Sequence, residues 1–241
     1  QASASPPFYE EVWDECTQET VSLSINSDRR VMDVEIYPTE GNPMYVISED
    51  NAVYMNYPDA DESSGMVVDQ NSSLDELVVG DVDGDGDFDI VGGNQHKLTT
   101  YLRQDHASNQ YDASTGPLGQ WENYSYSFIS IEWNSTGTQN NYGLRSLSLT
   151  DVDGDGDLDL SYAIEDWDGI VSPAVCIHKN SDGLGNFTEE PVWCGMPMTE
   201  ATSIAWEDFD DDGDQDLAVA ADGNPIVVYV NNGGSGFNKM E

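Results

Sequence analysis

The chemistry open to this chain rests on three nine-residue stretches of nearly the same spelling. They are Asp81-Val-Asp-Gly-Asp-Gly-Asp-Phe-Asp89, Asp151-Val-Asp-Gly-Asp-Gly-Asp-Leu-Asp159 and Asp208-Phe-Asp-Asp-Asp-Gly-Asp-Gln-Asp216. Aspartate stands at every odd position: Asp81, Asp83, Asp85, Asp87 and Asp89; Asp151, Asp153, Asp155, Asp157 and Asp159; Asp208, Asp210, Asp212, Asp214 and Asp216. Glycine is sixth each time, at Gly86, Gly156 and Gly213. Like charges this dense repel one another unless a cation neutralises them. Carboxylates at the first, third and fifth positions converge on one centre if the loop curls, and the sixth-position glycine permits the curl. The backbone carbonyl of the seventh residue (Asp87, Asp157 or Asp214) adds a further oxygen. The donors are hard oxygens with no Cys or His among them, which selects calcium or magnesium over zinc, copper or iron. Six or more oxygens on a flexible loop suit Ca2+ better than octahedral magnesium, so about three calcium sites are expected. The competing reading is an acidic, solvated turn; solvation alone gives no reason for the pattern to recur.

The elements that must position these loops are strands. A helical EF-hand needs an acid at position twelve, where this chain has Gly92, Tyr162 and Val219. Apolar stretches precede each loop (Leu77-Val78-Val79, Leu147-Ser-Leu149, Ile204-Ala-Trp206) and others follow, such as Ile90-Val91 and Leu217-Ala218-Val219. Their alternating or β-branched character predicts that each loop joins two antiparallel strands. Further on come short strands often ending in Asn, as in Val53-Tyr-Met-Asn56, Ala174-Val-Cys-Ile-His-Lys-Asn180 and Ile226-Val-Val-Tyr-Val-Asn231. Two of them run into Gly-rich turns closed by Phe187 and Phe237, as hairpins do.

The Asp-rich loops, the apolar residue after each ninth-position Asp and the Gly-Phe hairpins resemble the FG-GAP or VCBS repeat. That repeat is the blade unit of integrin-α-type β-propellers, and the resemblance covers about residues 20–241. It implies an all-β, β-propeller-like array of about four antiparallel four-stranded blades with calcium-binding hairpin loops. It also implies side-chain ligands at Asp81, Asp83, Asp85 and Asp89, with their counterparts Asp151, Asp153, Asp155, Asp159, Asp208, Asp210, Asp212 and Asp216. Asp87, Asp157 and Asp214 would then offer backbone oxygen. On this reading 1–19 is an N-terminal segment. Residues 20–70 form a degenerate blade without metal, in which Glu40 and Asn42 stand where the ladder is lost, as an ordinary turn or as weak ligands. Residues 71–142 form a second blade with an insertion at about 104–142, 143–197 a third and 198–241 a fourth. The family usually has seven blades, so four would close a small ring, belong to a larger protein or leave edges that recruit other chains. The segment Val21-Ser-Leu-Ser-Ile25 is a candidate strand to complete the last blade.

The 241 residues suffice for one β-rich domain with a sizeable core. Seven basic residues face 47 acids, for a formal charge of −40. Nucleic acid is a poor partner for such a surface, whereas saline surroundings would screen the self-repulsion. No apolar run is long enough to span a membrane, no signal peptide is visible, and loops of this kind work where calcium is millimolar, so an extracellular setting is expected. Cys176 and Cys194 flank the Gly183–Gly185 turn; a disulfide or two buried thiols are both open, with Cys16 left over. Sequons stand at Asn71, Asn123, Asn134 and Asn186.

No enzyme is expected. His96, His106 and His178 have no metal-ligand or triad spacing, and there is no nucleophile elbow, zinc-protease helix or phosphate loop. The obvious aspartates are spoken for as ligands, and Glu132, Glu165 and Glu207 read as ordinary surface acids beside their possible use in glycoside hydrolysis. Of six tryptophans, Trp206 reads as core, whereas Trp121 and Trp133 lie in the insertion and read as packing first, and otherwise as the candidates for stacking on a sugar. The expected function is an extracellular calcium-binding module for adhesion or structural self-assembly, with other subunits or a cell-surface protein or glycan as partner. The alternatives are a lectin, or an accessory domain of a larger polysaccharide-active enzyme.

Overall fold

The structure is a computed structural model that describes residues 31–37, 44–49, 52–56, 66–69, 74–94, 98–103, 121–126, 142–166, 174–188, 190–196, 198, 200–233 and 236–240. The described residues are all-β: sixteen strands in four antiparallel sheets of four, each sheet built from consecutive strands. The first sheet holds β1 (Val31–Tyr37), β2 (Met44–Glu49), β3 (Ala52–Asn56) and β4 (Met66–Asp69). The second holds β5 (Glu76–Gly80), β6 (Asp89–Gly93), β7 (Leu98–Arg103) and β8 (Trp121–Tyr126). The third holds β9 (Tyr142–Thr150), β10 (Asp159–Asp166), β11 (Val175–His178) and β12 (Trp193–Cys194). The fourth holds β13 (Ala201–Glu207), β14 (Asp216–Ala221), β15 (Val227–Asn231) and β16 (Phe237–Lys239).

Each Asp-rich stretch joins the first and second strands of its sheet, as the flanking apolar residues predict. The register closes Gly80 on Asp89, Thr150 on Asp159 and Glu207 on Asp216. The stretch from 104 to 142 is read from sequence as an insertion; β8 falls inside it and is the outer strand of the second sheet, with Trp121 paired to Arg103. The segment near Val21 and the turn holding Glu40 and Asn42 lie outside the described residues.

The sheets pack on one another in chain order, β1 against β5, β5 against β9 and β9 against β13. Period-two alternation explains how. In the second sheet, Leu77, Ile90 and Tyr101 pack toward the first sheet with Val46, Val53 and Met55, whereas Val91 and Leu102 turn the other way. They meet Leu144, Leu147, Leu160 and Tyr162 of the third sheet. The third sheet repeats the division, sending Ala163 and Val175 toward Ile204, Leu217, Val219 and Tyr229 of the fourth. The middle sheets are thus covered on both faces, which is why β6, β7 and β11 are buried at every residue. Burying one such Leu or Ile contributes about 1.5–3 kcal/mol. Polar side chains stitch the layers: Ser48 Oγ donates to the Leu74 carbonyl (2.6 Å) and Trp206 Nε1 to Ser161 Oγ (3.0 Å). Trp206 is therefore partly buried core, as read from its strand. Cys176 lies opposite Cys194 across β11 and β12 and is joined to it by a disulfide, with Cα atoms 4.1 Å apart.

Candidate metal centres

Each loop is curled by its own aspartates. The first-position carboxylate accepts the backbone N–H of the sixth-position glycine: Gly86 to Asp81 (3.1 Å), Gly156 to Asp151 (3.0 Å) and Gly213 to Asp208 (3.0 Å). Those glycines sit at φ of 92°, 98° and 98°, the left-handed region that an L side chain rarely adopts. The fifth-position carboxylate accepts the N–H of the seventh residue, as in Asp87 to Asp85 (2.8 Å), Asp157 to Asp155 (3.1 Å) and Asp214 to Asp212 (2.9 Å).

The result is three clusters of carboxylates that can hold a metal ion: Asp81, Asp83 and Asp85; Asp151, Asp153 and Asp159; Asp208, Asp210 and Asp216. Within each, one oxygen per residue lies within 4.8 Å of the others. The donor set is all oxygen, and Asp81 Oδ1 is buried without a hydrogen-bond partner, so these residues fit a hard cation. The seventh-position carboxylates lie elsewhere: a Cβ on Gly183 would come within 2.7 Å of Asp157, and one on Gly233 within 2.9 Å of Asp214. Their side chains thus abut the Gly-rich turns between the third and fourth strands, which is compatible with their backbone oxygens serving the loop.

The ninth-position aspartates have a second task that spacing alone does not reveal. Asp89, Asp159 and Asp216 are buried at the loop bases. Each takes two backbone N–H groups, one from the loop's second residue and one from the end of the third strand. Asp89 accepts from Val82 (2.9 Å) and Arg103 (2.8 Å). Asp159 accepts from Val152 (3.2 Å) and Asn180 (2.9 Å). Asp216 accepts from Phe209 (2.9 Å) and Asn231 (2.8 Å). The two asparagines then reach back to the preceding sheet: Asn180 Nδ2 donates to the Val82 carbonyl (2.7 Å) and Asn231 Nδ2 to the Val152 carbonyl (2.7 Å). One hydrogen-bonded chain therefore threads all three loops, passing from Asp89 through Val82, Asn180, Asp159, Val152 and Asn231 to Asp216. The sequence flagged the Asn-ended strands without a role for their side chains; the spacing from the ninth-position Asp differs, 21 residues to Asn180 and 15 to Asn231, and offered no signal.

Burial disfavours the ionised form of several of these carboxyls. Burial pushes the Asp89 carboxyl up to about 7 and Asp159 up to about 6, against the lowering effect of the backbone N–H donors. Burial, then the neighbouring Asp85, raises Asp83 as well. Carboxyls held this high are ones whose ionised form a nearby cation would restore. A cation of the chain itself lies on the second loop. Lys179 Nζ pairs with Asp153 and lies 3.0 Å from Asp155 Oδ2, and its hydrogen bond holds Asp155 below the usual carboxylate range.

No family model matches the chain, and no curated protein does.

The other sequence candidates are placed as follows. Glu165 is paired with Arg145, and Glu207 is exposed. His178 is buried, stacked on Tyr162 with ring centroids 5.6 Å apart, and Nδ1 donates to the Thr188 carbonyl (2.7 Å). Asn186, a sequon position, donates to Asp182 (3.0 Å). Trp133, Glu132, His96, His106 and Cys16 lie outside the described residues. Among the described residues no helix is long and apolar enough to cross a membrane.

Proposed function

We propose that this chain is a calcium-binding, β-propeller-like module of the extracellular space, non-catalytic, serving adhesion or structural assembly. The observation that carries the reading is the threefold recurrence of one loop: carboxylates gathered within 4.8 Å, each loop rooted by a buried ninth-position Asp in the strands around it. The FG-GAP or VCBS resemblance supplies the name of the unit. Four consecutive four-stranded sheets, packed in chain order through their first strands, are consistent with blades. We read Ca2+ as the ion because every donor is a hard oxygen on a glycine-hinged loop. A disulfide between Cys176 and Cys194 suits an oxidising compartment, and the net charge of −40 suits a partner or medium that brings cations.

In this reading calcium is a structural ion: it neutralises each loop's repulsion and stabilises the folded chain by mass action. One site at a hundredfold excess of ion over its Kd adds about 2.7 kcal/mol. Removing calcium from such sites with EGTA is therefore expected to lower the melting temperature by roughly 5 °C or more per occupied site. A melting curve that EGTA and added calcium both leave in place removes calcium from the account.

A further inference from the structure

The three loops are close copies, but they do not face the same surroundings. The decisive position is the residue just before the one whose N–H the ninth-position Asp takes. In the second sheet that residue is Leu102, preceding Arg103, which donates to Asp89. In the fourth it is Val230, preceding Asn231, which donates to Asp216. Leu102 is core and Val230 is half-buried. In the third sheet it is Lys179, preceding Asn180, which donates to Asp159. The Lys179 backbone is fixed there, with its N–H on Thr188 Oγ1 (3.2 Å). Its side chain brings an ammonium onto the third- and fifth-position carboxylates of its own loop, Asp153 and Asp155.

We infer that Lys179 is a tethered competitor for the cation of the second loop, so that this loop binds calcium more weakly than the third. The inference rests on the calcium reading of the loops. Asp153 belongs to the group that can gather on an ion, and the ammonium already sits on it. A divalent ion must either displace that ammonium from two carboxylates or bind beside a like charge, and both weaken binding. The loops' own charge points the same way. The third loop carries a sixth carboxylate, Asp211, where the first and second loops have Gly84 and Gly154. The third loop is therefore expected to bind calcium more tightly than the second. A loop already partly neutralised by its own chain would also stay folded when calcium falls, while the third loop depends on the ion.

The test is calorimetric titration of calcium chloride into the full chain after EGTA treatment and desalting. The native chain is expected to show at least one tighter step and one weaker. Lys179→Met is expected to tighten the weak step by about tenfold, the size expected from releasing two half-exposed ion pairs, and to leave the others in place. The reciprocal variant Val230→Lys carries the ammonium to the third loop and is expected to weaken one of the tighter steps; it decides the matter should Lys179→Met fail to fold. Unchanged isotherms in either folded variant overturn the role of Lys179 while leaving the calcium sites standing. No calcium heat from the native chain at millimolar ion overturns both readings at once.

Discussion

Replacing Asn180 by Leu tests whether the asparagine link between sheets holds the stack together. The side chain is fully buried and spans two groups of different sheets: Nδ2 donates to the Val82 carbonyl (2.7 Å), and Oδ1 accepts the Gly185 N–H (3.1 Å). Leucine fills nearly the same volume but can do neither, so a carbonyl and an N–H are left buried and unmatched. Each such orphan costs about 1–3 kcal/mol, giving a loss of about 4 kcal/mol. For a chain of this size that is a drop of roughly 8–16 °C in melting temperature. Urea unfolding followed by tryptophan fluorescence measures the loss, once in saturating calcium and once in EGTA. The two losses should agree, because the Asn180 side chain touches no carboxylate of the loops. A loss below about 1 kcal/mol in both would mean that water reaches the Val82 carbonyl and the Gly185 N–H, and the threaded chain would then be ornament rather than support.

Asp211 holds φ of 61° at the position where Gly84 and Gly154 take 71° and 73°. Asp211→Gly should relieve left-handed strain and, after the added freedom of the unfolded chain, stabilise the calcium-free protein by about 0.5–1 kcal/mol, while the lost carboxylate weakens the third loop's hold on calcium; a net loss of stability by urea titration in EGTA counts against strain at this turn. Burial lowers the His178 imidazole below its usual range, with Glu190 nearby acting in the opposite sense. Below about pH 6.5 the unfolded chain therefore takes up a proton that the folded chain resists, and this group's contribution to stability falls as pH falls. His178→Gln, which can still donate to the Thr188 carbonyl, should remove that contribution and leave the opposing one of Asp89 and Asp159, whose carboxyls burial raises to about 7 and about 6; native and variant curves of equal slope below about pH 6.5 refute the assignment.

Much of this architecture was legible in the residues. The loops, the strands on either side of them and the sixth-position turns follow from alternation and from what glycine alone can do, and Gly86, Gly156 and Gly213 all adopt the expected left-handed backbone. The first calcium-site candidates, Asp81, Asp83 and Asp85, cluster as their spacing suggests. The backbone hydrogen bonds of Asp89, Asp159 and Asp216 were hidden, because their partners stand up to 21 residues away and a periodic pattern marks faces, not partners. The reach of Asn180 to Val82 spans 98 residues, a distance at which sequence gives no register between sheets. Lys179 was hidden for the same reason: it looks like one more solvated cation until the hairpin folds it back over Asp153 and Asp155.

The threaded hydrogen bonds also give the stack a direction. The third and fourth sheets each hand one carboxamide to the sheet before them, and the second and third each present one carbonyl to the sheet after. A unit of this kind can be spliced in or out whole, since its neighbours meet a donor on one side and an acceptor on the other as before. Half a unit cannot. Growth of such chains by duplication is then quantised, and a reversed unit, presenting carbonyl to carbonyl, would be rejected at the seam.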